Sequence, residues 1–129
     1  MHLEHIALWT HDLERLREFY TTFLGARAGA PYHNPRNGFR SYFLNFDTGA
    51  RLELMQMPGI PANANDMDRQ ATGLIHFAMA VGSDSTVDAL TTRLADAGHR
   101  VVSPPRRTGD GYYESCVLDP DGNRIELTV

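Results

Sequence analysis

The sequence predicts an α+β fold built from two βαβββ modules. A strand-like alternation, a helix-like stripe and a closing pair of strands occur in that order, and the order then recurs. Short stretches also match between the halves: His-Ile-Ala-Leu at 5–8 against His-Phe-Ala-Met at 76–79, and Gly-Ala-Arg-Leu-Glu-Leu at 49–54 against Gly-Asn-Arg-Ile-Glu-Leu at 122–127. With 129 residues, 42% of them apolar, the chain has the length of a single domain, 1–129, and can bury a core without disulfides.

Residues 3–9 open the first module as a strand, with Leu3, His5, Ala7 and Trp9 on one face and Ile6 and Leu8 on the other. The spacing then changes to a helical stripe of Leu13, Leu16, Tyr20 and Phe23, with Phe19 beside it. Asp12 stands at the N-cap and Gly25 just past the end. An irregular stretch with Pro31, Pro35 and Gly38 leaves room for one poorly marked strand between 27 and 33. Residues 41–46 and 51–57 close the module as strands joined at Asp47-Thr48-Gly49.

The second module follows the same plan. Residues 74–81 form its first strand, and Val87, Leu90, Leu94 and Ala97 repeat the helical stripe after Ser83 or Ser85 and before Gly98. Residues 112–118 and 124–129 make a hairpin turned by Asp119-Pro120-Asp121-Gly122. Arg106, Arg107, Gly109 and Gly111 read as a solvated loop. The modules span 1–57 and 74–129, joined by the Pro-, Asn-, Asp- and Gly-rich linker 58–73.

Composition narrows the function classes. A net charge of -4 gives no basic footprint for a phosphate backbone, so no nucleic-acid partner is expected. No stretch is long and apolar enough for a membrane span, and the polar start of the chain carries no apolar signal region. The lone Cys116 forms no internal disulfide and, within an apolar strand, reads as packing. These features suit a cytoplasmic protein.

Each half places a histidine in its first strand and a glutamate in its last: His5 and Glu53, then His76 and Glu126. Alternation puts His5 with Ala7 and Trp9, Glu53 with Arg51 and Met55, His76 with Ala78 and Ala80, and Glu126 with Arg124 and Thr128. The opposite faces are large and apolar and should take the helices. A face of small residues carrying one His or Glu per strand is suited to line a polar cavity. Two imidazoles and two carboxylates converging there make an N2O2 set for a divalent Zn, Ni, Co, Mn or Fe ion. Recurrence is what raises these residues above ordinary strand histidines and surface glutamates. His2, His11, His33 and His99 lack such partners and read as surface residues.

These residues resemble the vicinal oxygen chelate superfamily, which groups glyoxalase I, bleomycin-resistance proteins and extradiol dioxygenases. The likeness rests on His5-Ile-Ala-Leu-Trp, Glu18-Phe19-Tyr20 with Phe23-Leu24-Gly25, Leu52-Glu53-Leu54, Gly73-Leu-Ile-His76-Phe-Ala, and Asp119-Pro-Asp-Gly-Asn-Arg-Ile-Glu126-Leu. The His, Glu, His, Glu order is similar to bacterial glyoxalase I. That resemblance implies an open cup-shaped mixed sheet with the helices on its outer face. It also implies a homodimer whose sites combine His5 and Glu53 of one chain with His76 and Glu126 of the other. It further implies a metal-bound enediolate, with Glu126 as the catalytic base and Glu53 as the second choice.

The cavity wall is read as Trp9, Met55, Met57, Tyr42, Phe43, Tyr112 and Tyr113, an aromatic and thioether surface suited to a flat or apolar ligand. Arg51 and Arg124 stand beside the carboxylates and are read as their ion-pair partners, with anchoring of an anionic substrate as the alternative role. Glyoxalase I enzymes carry basic and amide groups that hold glutathione near the cavity mouth. The first strand here ends in Trp9, and Met57 follows the Glu53 strand. Two function classes follow: a metal-dependent glyoxalase-type lyase or isomerase acting on a small substrate with vicinal oxygens, or a bleomycin-resistance-type protein that sequesters a planar or cationic natural product without turnover.

Overall fold

The computed structural model describes residues 1–129, which fall into two compact units, Met1–Asn63 and Ala64–Val129. The first contains β1 (His5–Trp9), α1 (Leu13–Phe23), β2 (Arg27–Ala28), β3 (Tyr32–Asn34), β4 (Phe39–Asn45) and β5 (Arg51–Gln56). Its sheet runs β1-β5-β4-β2, with β3 also on β4. β1 lies parallel to β5, and the remaining pairs are antiparallel. The second unit contains β6 (His76–Ala80), α2 (Asp84–Asp96), β7 (Val101–Arg107), β8 (Tyr113–Leu118) and β9 (Arg124–Thr128). Its order, β6-β9-β8-β7, repeats the plan with β6 parallel to β9. Both sheets are open and mixed, and the fold is α+β, as the recurring pattern predicts.

The capping residues act where the sequence places them. Asp12 accepts from the Arg15 amide at 3.0 Å, and Ser83 accepts from that of Thr86 at 3.1 Å, each satisfying an otherwise orphaned N–H. Leu13, Leu16, Phe19 and Tyr20 of α1 are buried, as are Leu44, Leu52 and Leu54 of the strands it packs on. In the second unit Val87 and Leu94 are buried along with Val117, Ile125 and Leu127.

Several expectations change. Ala97 is exposed at the end of α2, and the buried position is taken by Thr91, whose hydroxyl meets that of Ser115 at 2.7 Å. The helices pack on the other strands and leave β1 and β6 largely uncovered, so Ile6, Leu8, Phe77 and Met79 stay half-buried. The strand expected between 27 and 33 is two pieces: Gly29 still donates to the Phe43 carbonyl at 2.9 Å, but Pro31 has no N–H to continue the ladder. Arg106 and Arg107 lie in β7 rather than in a loop, opposite Glu114 and Tyr113. β7 is an edge strand with register shifts around Pro104 and Pro105, which is where a sheet tolerates residues lacking a donor. His99 is half-buried rather than a free surface group, and burial pushes its imidazole below the ordinary range while Asp119 acts against that shift.

Candidate metal centre

Parallel pairing sets the geometry of each His–Glu pair. In β1 and β5, His5 stands opposite Arg51 and Ala7 opposite Glu53; in β6 and β9, His76 stands opposite Arg124 and Ala78 opposite Glu126. The register is the same in both units. Each glutamate therefore lies one side-chain step along the sheet from its histidine, on the face away from the helix, and faces an alanine. His5 Nε2 lies 3.8 Å from Glu53 Oε2, and His76 Nε2 lies 3.2 Å from Glu126 Oε2. The imidazoles are 39% and 38% exposed, the carboxylates 15% and 22%, so each pair opens outward from a partly sheltered floor.

The donor chemistry fits a divalent ion. Imidazole nitrogen and carboxylate oxygen bound to one ion at about 2.0–2.2 Å each lie roughly 3–3.5 Å apart; the second pair, at 3.2 Å, falls within that range and the first, at 3.8 Å, lies just beyond it. The structure brings together His5 with Glu53 and His76 with Glu126 as two pairs, and no point gathers three or more His, Cys, Asp or Glu side chains.

Surroundings of the two histidines differ. The chain just before β1 brings Glu4 back onto His5, where Glu4 Oε2 meets Nδ1. Glu4 Oε1 also accepts from Arg51 Nε at 2.7 Å, and the Arg51 guanidinium lies 4.0 Å from the centre of the Phe43 ring. Phe43 in turn meets His5 edge-on at 5.4 Å. Arg51 thus pairs with Glu4 rather than with Glu53, because Glu4 lies outside the strand and is free of its alternation. Sequence reading missed Glu4 for the same reason: strand parity sends residue 4 to the other face, and only the start of β1 at His5 releases it. Arg124 pairs with no carboxylate either; its guanidinium donates to the Met67 carbonyl.

The aromatic and thioether residues expected to form one wall fall on different faces. Trp9, 41% exposed, meets Phe39 edge-on at 6.0 Å, and Tyr32 lies 6.0 Å beyond Phe39. Met55 pairs with Trp9, and Phe43 pairs with Glu53, so both share the open face. Tyr42 pairs with Leu54 and faces the helix, where its hydroxyl donates to Glu14 at 2.9 Å. Tyr113 likewise donates to Asp88 of α2 at 2.7 Å, and Tyr112 is exposed before β8 begins. Met57 lines a separate recess of about 360 Å³ with His11, Arg40, Gln56 and Pro58. Cys116 stands opposite Glu126 on the open face, and burial, with Glu126 and Glu114, pushes its thiol up, against the pull of Arg124.

Paired mixed sheets, each with one helix and one outward His–Glu pair, define a protein of the vicinal oxygen chelate fold. Residues 2–127 match the family model for the glyoxalase/bleomycin resistance protein/dioxygenase superfamily, and the chain belongs to that superfamily. It is 27% identical to a lactoylglutathione lyase of Haemophilus influenzae over 98% of this chain and 91% of that protein. It is 31% identical to an uncharacterized protein of Pseudomonas aeruginosa over 98% of this chain and 86% of that one. Among solved structures it is similar to a glyoxalase family protein from Enterococcus faecalis, with a TM-score of 0.77 and 25% identity across 98% of this chain and 96% of that one. No helix is long and apolar enough to cross a membrane.

Proposed function

We propose that the protein is a divalent-metal-dependent lyase or isomerase of the glyoxalase type, acting on a small substrate with vicinal oxygens. The observation that carries this reading is the repeat of one His–Glu half-site in the same register in both units. Likeness to a lactoylglutathione lyase supports the reaction class. His5, Glu53, His76 and Glu126 hold the ion, one half-site from each module, in the homodimer that superfamily members often form. When bound, a divalent ion supplies Lewis acidity to two adjacent substrate oxygens.

The chain's own side chains do the rest. Glu126 is the base: its carboxylate takes a proton from the substrate carbon beside the carbonyl and returns it to the neighbouring carbon, with Glu53 as the second candidate. Ala7 and Ala78, opposite the two glutamates, leave room for the reacting atoms. Trp9, Phe39 and Met55 offer an apolar wall to the remote part of the substrate. Arg51 is committed to Glu4 and is not free to anchor an anion. The preferred substrate therefore carries an aromatic or apolar remote group in place of the carboxylates of glutathione.

The test is loss of hemithioacetals, formed from a small 2-oxoaldehyde with glutathione or with an aromatic thiol, over metal-loaded protein. Turnover is expected, faster with the aromatic thiol, and Glu126→Gln should lower it by about 10²–10⁴-fold. Unchanged turnover in that variant removes Glu126 as the base. Recovery of every hemithioacetal intact contradicts the enzyme reading.

A further inference from the structure

His5 and His76 occupy matching positions, yet only His5 is locked from behind. Glu4 Oε2 takes the Nδ1 side of its ring, Arg51 Nε holds Glu4 Oε1 at 2.7 Å, the Arg51 guanidinium covers Phe43 at 4.0 Å, and Phe43 closes edge-on upon His5. These three groups close a ring of contacts with one imidazole. The backbone ties it down as well, since the Arg51 amide donates to the Glu4 carbonyl at 2.9 Å. At the matching places of the second unit, Ile75 precedes His76 and offers no side-chain acceptor, Cys116 stands where Phe43 does, and Arg124 turns to the Met67 carbonyl.

We infer that Glu4 is a positioning residue that fixes His5 as the Nδ1–H tautomer, presents its Nε2 lone pair beside Glu53, and makes the first half-site the stronger seat for the ion. The chemistry is general: which nitrogen of an imidazole stays open for a metal is set by the hydrogen bond the other one makes, and a carboxylate at that place raises ligand basicity. The charge of Arg51 and the cover of Phe43 keep Glu4 in one place, so little ordering remains for the moment of binding. The two half-sites are then unequal by construction: the ion meets a prepared nitrogen at His5 and a ring at His76 with no carboxylate behind it. This inference rests on the metal-binding reading above, but its first readout does not.

That readout is the tautomer of His5 in metal-free protein, read from imidazole 15N shifts at about pH 9, well above the ordinary imidazole range. Wild type should show His5 protonated at Nδ1; Glu4→Ala should move the proton to Nε2, and Glu4→Gln, which keeps an oxygen acceptor, should retain it at Nδ1. His76 serves as the internal reference and should be unchanged in both variants. Second, zinc affinity measured by chelator competition should fall by about 10–100-fold in Glu4→Ala and by less in Glu4→Gln. A His5 tautomer that is the same in wild type and Glu4→Ala overturns the inference, as does an unchanged zinc affinity. Failure of wild type to take up zinc overturns the metal reading instead, and leaves the tautomer result to decide whether Glu4 positions His5.

Discussion

Glu14 of α1 and Asp88 of α2 each receive a tyrosine hydroxyl, from Tyr42 and Tyr113. These contacts turn both tyrosines toward the helices: one step of strand parity separates Tyr42 from Phe43, and only Phe43 shares a face with Glu53. An aromatic run marks a strand without saying which of its members turns inward. The hydroxyl of Tyr42 holds the Glu14 carboxyl below its ordinary range, helped by Arg17 and Arg40 and opposed by burial. Polar partners of this kind are invisible in the sequence, because a tyrosine and a carboxylate 28 positions apart carry no joint signal. His99 gives a pH prediction at the same scale. Its folded-state value is pushed down by burial, so the unfolded chain takes up the proton first as pH falls. Stability should therefore decline as pH is lowered through about 6.5, the ordinary value, toward the lower folded-state value. Thermal melts of wild type and His99→Gln across that window should converge at neutral pH in their pH slope and diverge below it, with the variant flatter.

Elements were legible to the degree that their punctuation is local. Both helices begin and end where Asp12, Ser83, Gly25 and Gly98 place them, because a cap acts through bonds three or four residues away. Removing one is a direct check: Asp12→Ala should cost about 1 kcal/mol in a denaturant titration, with the sheet intact by far-UV circular dichroism. The turn before β9 was equally plain, since buried Asp119 accepts from the amides of Asp121 and Asn123, each at 2.9 Å. Edge strands were harder to read. Prolines at 31, 104 and 105, and the register shifts of β7, remove the alternation that marks a strand, and pairing with β4 or β8 supplies the order that local sequence does not.

At the scale of the whole molecule the repeat did most to make function readable. A histidine and a glutamate lie far apart in each half, and no short motif joins them. Parallel pairing of the first and last strands brings them together, and the same register in both units gives two His–Glu pairs from one plan. The repeat matches His5 to His76 but says nothing of their surroundings, of Glu4, Phe43 or the course of Arg124. The central claim is that His5, Glu53, His76 and Glu126 make one divalent metal centre. The most direct test is elemental analysis of protein purified without added metal, for wild type, His5→Ala and Glu126→Ala in parallel. About one equivalent of a divalent transition metal per chain is expected in wild type, with its loss in both variants. No metal in wild type and no uptake on later addition, or a full equivalent retained in either variant, contradicts that claim.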